Sequence, residues 1–376
     1  MKRLIIFAAA LLMCGVFISA GDKEEGIVFW GTYVLIEPKT GTILDEKDCH
    51  ERCNAGYLSK LMTLLIIAED IDSGRLSLTE ELTASENVSG TKGAVVWLSP
   101  GDKMTVEELI KSAAVGNAND AITVLAEHSA GTIDEFTARM NARAFDLGLR
   151  DTAFFSPYGY YDEREYTTAF DMAVISAELL KHEAILPYFS IWRDYVKAGQ
   201  TELVNENTLS RTYDRHCGFK ACHSDEAGYC ISECGKNEKG EEYIAVVLGA
   251  PDEDTSFGTA KKLIRSGFVG YRMTASVFPE DALRPVSVRN GEEAAAELGF
   301  AESTDLVVPK GENKLRIVTV LPAYLEAPLR AGQTVGKAAF FNGKELIFET
   351  DVIVKNDVNK LTFRFILRKI MYKTIN

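Results

Sequence analysis

The chain is poor in histidine, tryptophan and proline, with 5, 3 and 10 among 376 residues, and nowhere does it contain a Cys-x-x-Cys spacing. That absence removes the commonest signature of a structural zinc site, although His50, His216 and His223 each adjoin a cysteine. No metal and no cofactor is therefore expected. Positive charge is scarce as well: 41 Lys and Arg against 55 Asp and Glu leave a formal net charge of -14. An acidic surface repels phosphates, which excludes nucleic acid as a partner. Internal repeats and low-complexity tracts are lacking, and with 46% hydrophobic and 26% charged residues wholesale disorder is excluded too. Long apolar runs are missing after the first twenty residues. There, Lys2 and Arg3 precede an apolar stretch from Leu4 to Ile18, followed by Ser19-Ala20-Gly21. This stretch is shorter than the roughly 20 residues of a spanning helix, and its basic start and small-residue end predict a secretory signal peptide over 1–20. Cys14 lies inside it, but Met13 is a poor residue to precede a lipidation cysteine. The expected location is extracytoplasmic.

A length of 376 residues suits two cores better than one. The apolar stretch Ile27–Ile36, the turn Lys39-Thr40-Gly41-Thr42 and Ile43–Leu44 predict an opening hairpin. Leu58, Leu61, Met62 and Leu65 then recur at helical spacing. Further helices are predicted over 106–112, 119–128, 133–147 and 167–180, strands over 218–222, 228–233 and 243–248, and a closing helix over 259–271. Helices set between early and late strands predict an α/β domain whose sheet joins both ends of the segment. Near Ala275 the texture changes to short apolar stretches separated by turns such as Asn290-Gly291 and Asn342-Gly343, which predicts a small all-β domain. The expected division is 1–20, 26–273, 275–356 and a tail over 359–376. That tail carries Lys360, Arg364, Arg368, Lys369 and Lys373 and no acidic residue. Phe363, Ile366, Leu367 and Ile370 share one side of a helix drawn through it, as in a helix lying on an anionic membrane or one docked on the protein's own core.

Six cysteines remain without Cys14, so disulfides are expected in an oxidising compartment. Cys49 and Cys53 lie close in sequence, and Cys217, Cys222, Cys230 and Cys234 flank a hairpin as rough cross-strand partners. Cys217 and Cys222 are an odd number of residues apart and should face opposite sides of one strand, whereas Cys230 and Cys234 share a face. Two disulfides across this hairpin therefore require a bulge.

Four stretches carry a resemblance. They are Gly41-Thr-Ile-Leu-Asp-Glu-Lys before Tyr57-Leu-Ser-Lys60, then Leu98-Ser-Pro-Gly-Asp leading into Gly116-Asn-Ala-Asn119-Asp, then Gly218-Phe-Lys220-Ala-Cys222 before Glu226-Ala-Gly-Tyr, and last Asn290-Gly-Glu-Glu with Leu325-Glu-Ala-Pro-Leu-Arg. In this order they resemble the serine-type D-Ala-D-Ala carboxypeptidases, the low-molecular-mass penicillin-binding proteins, with their S-x-x-K, S-x-N and K-T-G motifs. The resemblance implies an α/β (α+β) penicillin-binding-protein/β-lactamase-like transpeptidase domain followed by a small all-β C-terminal domain.

It also implies roles, residue by residue. In the family, serine and lysine three apart share one helix face, so the lysine helps remove the serine proton. Here Lys60 is retained and the serine position is Tyr57. Ser59 cannot substitute, because two residues along a helix turn it by about 200°. Asn119 is retained, while Asn117 replaces a hydroxyl able to relay protons. Lys220 is retained, Ala221 lacks a hydroxyl that helps hold the substrate carboxylate, and Cys222 adds a side chain where glycine permits close approach. Nucleophile, relay and clamp have all changed, which predicts a protein without the family's hydrolytic activity that binds peptidoglycan stem peptides or a cell-wall protein. The rival expectation is an active D,D-carboxypeptidase using Tyr57 or Cys222 as nucleophile.

Overall fold

The computed structural model describes residues 31–274, 283–301, 306–311 and 315–375. The signal-peptide reading over 1–20, Cys14 included, lies outside them.

Strands β1 (Thr32–Glu37) and β2 (Thr42–Lys47) form the opening hairpin, with Gly41 in the left-handed region at the turn. A single 3-10 turn, Gly56–Ser59, leads into α1 (Lys60–Asp72). A short pair, β3 (Glu81–Thr83) and β4 (Lys103–Thr105), precedes α2 (Val106–Ala114), α3 (Asn119–Ala130), α4 (Ile133–Asp146) and α5 (Ala169–Leu179). Threonine side chains set three of these starts. Thr105 makes a capping box with Glu108, and Thr132 and Thr168 accept from backbone amides three residues on. One turn, α6 (Leu186–Phe189), the hairpin β5 (Arg193–Val196) and β6 (Thr201–Val204), and a second turn, α7 (Leu209–Thr212), lead to β7 (His216–Gly218), β8 (Ala221–Ser224), β9 (Gly228–Lys236) and β10 (Glu242–Ala250). The closing helix is α8 (Glu253–Gly270).

The main sheet runs β2-β1-β10-β9-β7, with β8 also paired to β9, so strands from both ends of the segment meet at its centre. Alternation assigns the faces. Val34, Ile36, Ile244, Val246 and Leu248 pack under α1 to α5, whereas Leu35, Tyr243, Ala245 and Val247 pack under α8. Burial on both faces explains why these strands read as continuous apolar runs.

Two predicted elements need correction. The strand expected over 218–222 is broken at Phe219–Lys220, where the ladder continues only through Phe219 N to Ser232 O at 3.0 Å and Ser232 N to Lys220 O at 2.9 Å. The closing helix begins at Glu253 and not Thr259, because Asp252 caps it by accepting from Thr255 N at 2.7 Å, and it ends before Tyr271.

Beyond α8, β11 (Tyr271–Thr274), β12 (Val286–Arg289), β13 (Ala295–Ala296), β14 (Leu298–Phe300), β15 (Leu306–Pro309), β16 (Leu315–Val320), β17 (Leu325–Glu326), β18 (Thr334–Asn342) and β19 (Glu345–Val354) build three small sheets. Leu298, Leu325, Leu329, Phe340, Val352 and Val354 form their core. The final helix, α9 (Phe363–Ile375), exposes Phe363, Ile366, Leu367 and Ile370, so its apolar side is not buried in the protein's own core. Among the described residues no helix is long and apolar enough to cross a membrane.

Candidate active site

The three altered motifs converge. Tyr57 lies in the 3-10 turn and Lys60 opens α1, so the two stand on the same side and the Lys60 Nζ sits 4.6 Å from the centre of the Tyr57 ring. Lys60 is 1% exposed and donates to Asn117 O at 2.8 Å, with Asn117 Oδ1 at 3.4 Å. Asn117 takes a left-handed backbone, φ 56°, a conformation asparagine adopts more readily than most residues. That turn presents its carbonyl to Lys60, while its side-chain Nδ2 donates to Glu206 Oε2 at 2.7 Å.

Lys220 lies within the break between β7 and β8. Its side chain is 2% exposed and reaches the C-terminal end of α2, donating to Ala113 O at 3.0 Å and Ala114 O at 2.8 Å. These carbonyls are among those a helix leaves without intrahelical partners, and its C-terminal dipole favours a cation. Burial pushes the Lys220 amine down to about 8. Burial, with the nearby Lys220 charge, pushes the Lys60 amine further, to about 7.

Asn119, the retained second-motif residue, ties a loop. Its Nδ2 donates to Lys92 O at 2.7 Å and its backbone N to Ala94 O at 2.7 Å. Tyr160 OH also donates to Lys92 O at 2.7 Å, so the segment around Tyr160 is fixed to the same point. Gly159 brings this segment hard against the start of the first motif. A Cβ there would lie 2.3 Å from Gly56 O and 2.9 Å from Tyr57 Cα, and φ is +76°.

Ser59 points away from this cluster, as its place on the helix predicts. Its hydroxyl donates to Glu165 Oε1 at 2.7 Å in the core, and burial pushes the Glu165 carboxyl up to about 7. Ala221 and Cys222 lie on β8 and are both buried. Cys222 Sγ points to Ala55 O at 3.5 Å, and Cys222 is the register partner of Cys230 across β8 and β9. Contact with the Cys222 thiol, together with burial, pushes the Cys230 thiol up.

Cys217 and Cys234 form a disulfide with Cα atoms 5.2 Å apart. The register of the β7–β9 pairing shifts by one residue between His216 and Gly218, at Cys217, and Cys217 and Cys222 pack into the same core as Cys230 and Cys234; this is the irregularity the odd spacing required. Cys49 and Cys53 are not bonded to each other. Cys49 Sγ donates to Glu46 Oε2 at 2.7 Å.

Sequence reasoning did not single out Glu206, Tyr160 or Glu165. Glu206 carries no motif, and only the polar run Asn205-Glu206-Asn207 hinted that this segment serves more than a turn. A pocket of about 300 Å³, lined in part by Glu206, Ala221, Cys222, His223, Tyr229 and Glu253, adjoins the altered third motif.

Comparison with known proteins bears on this arrangement. The D-alanyl-D-alanine carboxypeptidase family model matches residues 25–252, and that of the penicillin-binding protein 5 C-terminal domain matches residues 271–360. D-alanyl-D-alanine carboxypeptidase DacF of Bacillus subtilis is 32% identical over 344 residues, covering 90% of this chain and 88% of that protein. D-alanyl-D-alanine carboxypeptidase DacA of Escherichia coli is 28% identical over 385 residues, covering 96% and 94%. The crystal structure of penicillin-binding protein 5 from Haemophilus influenzae superposes with a TM-score of 0.82 at 25% identity, covering 90% of this chain and 100% of that one. With both halves of the fold matched in order, the chain belongs to the D-alanyl-D-alanine carboxypeptidase family of low-molecular-mass penicillin-binding proteins.

Proposed function

We propose that this family member acts at the cell wall, outside the cytoplasm, as a binding or scaffold protein for peptidoglycan stem peptides or a cell-wall partner, without hydrolysing them. The observation that carries this reading is Tyr57, whose ring lies over Lys60 where the family's S-x-x-K motif has a serine. A phenol oxygen stands several bonds further from the backbone than a serine oxygen, too far for an attack geometry that tolerates only about 1 Å of error. The surrounding contacts agree with it: Lys60 and Lys220 bond to backbone carbonyls, and Asn117 is bonded to Glu206. The exposed apolar side of α9, next to Arg364, Arg368 and Lys369, supports attachment of this domain pair to an anionic membrane surface.

One observation favours the rival. A Lys60 amine pushed down to about 7 is partly neutral at physiological pH and so able to act as a base, which an active D,D-carboxypeptidase with Tyr57 or Cys222 as nucleophile would need. Intact-mass analysis after incubation with a labelled penicillin, with an assay for D-alanine released from a pentapeptide, decides between them. No adduct and no D-alanine from folded protein is the expected result. A stable adduct mapped to Tyr57 or Cys222, or turnover, overturns it.

A further inference from the structure

The pocket beside β8 differs in chemistry from the three lysine and asparagine contacts next to it. Glu206 lies just beyond β6, Tyr229 on β9, and Glu253 and Phe257 on the first turns of α8, and the pocket lining contains no lysine or arginine. Glu206 and Glu253 are both exposed, and neither is in an ion pair among the described residues. Glu206 Oε2 accepts only from the neutral amide of Asn117. Lys60 and Lys220 are near enough to feel its charge, yet both amines are bonded elsewhere, to Asn117, Ala113 and Ala114 carbonyls. The pocket thus presents two exposed carboxylates with no directly bonded cation among the described residues, Glu206 sharing its charge at longer range with Lys60 and Lys220.

Its walls supply a second, independent preference. Tyr229 and Phe257 give aromatic surface, and His223 stacks on Tyr229 with ring centres 4.2 Å apart. Aromatic faces attract organic cations and also cover an aliphatic stem. A volume of about 300 Å³ is at the small end for a ligand pocket, enough for one side chain and not for a peptide.

We propose that this pocket binds a primary alkylammonium group, the free amino end of a lysine-like side chain, and rejects a peptide carboxylate. The ammonium sits between Glu206 and Glu253, and its alkyl stem lies against Tyr229 and Phe257. Ala221 fits this assignment, because it has no hydroxyl to offer a carboxylate. The proposal rests on the binding reading above and names the ligand chemistry of that site.

The test is a ligand-observed NMR titration of the full chain with Nα-acetyl-lysine amide and, separately, with N-acetyl-D-alanyl-D-alanine. Saturable binding of the lysine amide is expected at low salt, weakened about three- to tenfold in Glu206→Gln and in Glu253→Gln, with no competition from the dipeptide. Both substituted positions are exposed, so thermal unfolding should match the wild type, and Glu253→Gln alone suffices if Glu206→Gln perturbs Asn117. No saturable binding, binding unchanged in both variants, or preference for the dipeptide overturns the assignment. D-alanine release from a pentapeptide, measured on the same preparation, reports separately on the non-hydrolysing reading. Turnover with lysine-amide binding intact would sink that reading and leave the cation pocket standing.

Discussion

Replacing Lys60 by methionine should stabilise the protein at neutral and mildly acidic pH. Lys60 is 1% exposed, and its amine is pushed from 10.5 to about 7. At about 1.4 kcal/mol per pH unit, holding it charged in the native state costs on the order of 5 kcal/mol. Methionine is of similar length and uncharged. It leaves Asn117 O without its donor, a loss of about 1–2 kcal/mol, so the net gain near pH 6 is about 3 kcal/mol. The pH dependence fixes the cause. Below pH 7 the amine is protonated in both native and unfolded states, and the full cost is present. Between about 7 and 10.5 the native state has released its proton and the unfolded state has not, so the wild type gains about 1.4 kcal/mol per pH unit. The advantage of Lys60→Met should therefore fall from about 3 kcal/mol at pH 6 to near zero at pH 9. Urea unfolding followed by circular dichroism at pH 6 and pH 9 measures this. A variant less stable than wild type at pH 6, or an advantage independent of pH, would refute the reasoning.

Three further outcomes are expected. Burial pushes the Glu165 carboxyl from 4.5 to about 7, so the native state favours its protonated form and wild-type stability should decline by up to about 3 kcal/mol as pH rises through that window. In Glu165→Gln that decline should vanish, and equal slopes for both proteins between pH 4.5 and 7.5 would count against it. Gly159→Ala should lower stability by more than about 2 kcal/mol, since its Cβ meets Gly56 O at 2.3 Å with φ +76°, and an unchanged melting temperature by calorimetry would contradict the packing described. Truncation after Leu361 should leave the melting temperature unchanged and abolish sedimentation with anionic vesicles, because Phe363, Leu367 and Met371 are exposed whereas Val358 and Leu361 are tied by backbone bonds to Leu329 and Asn290. Retained vesicle binding would end the membrane reading of α9.

Elements with one dominant signal were legible in the sequence. The helices at 106, 119 and 133 were read to within two residues at their starts, since apolar periodicity acts locally, as do the capping threonines before the first and third of them. The start of α8 was missed because Glu253, Asp254, Thr255, Ser256 and Gly258 look like turn residues until Asp252 is recognised as the cap. The break between β7 and β8 was invisible for a different reason. It coincides with Lys220, whose side chain reaches Ala113 O and Ala114 O more than a hundred residues earlier in the chain, and no local pattern encodes that partner. The register shift at Cys217, between His216 and Gly218, reset the facing of the hairpin cysteines, and parity alone could only state that such an irregularity was needed.

The retained lysines illustrate why a surviving motif residue is weak evidence of chemistry. Lys220 closes the open carbonyl end of α2, and Lys60 holds the left-handed turn at Asn117; each contact would preserve the residue with no reaction to catalyse. The altered positions carry more information. Tyr57 places a ring over Lys60, Asn117 turns its amide to Glu206, and Cys222 faces Cys230 and Ala55 O, so each substitution has acquired a partner of its own. A hydrolase that had lost one group would leave the others poised around a gap. Here the substituted side chains have partners, and two exposed carboxylates, Glu206 and Glu253, line the pocket that also holds Ala221, the position the resemblance links to the substrate carboxylate. On the proposed reading, repulsion from these carboxylates adds to the missing serine, so Tyr57→Ser alone should not bring D-alanine release from a pentapeptide, and release by that variant would contradict it.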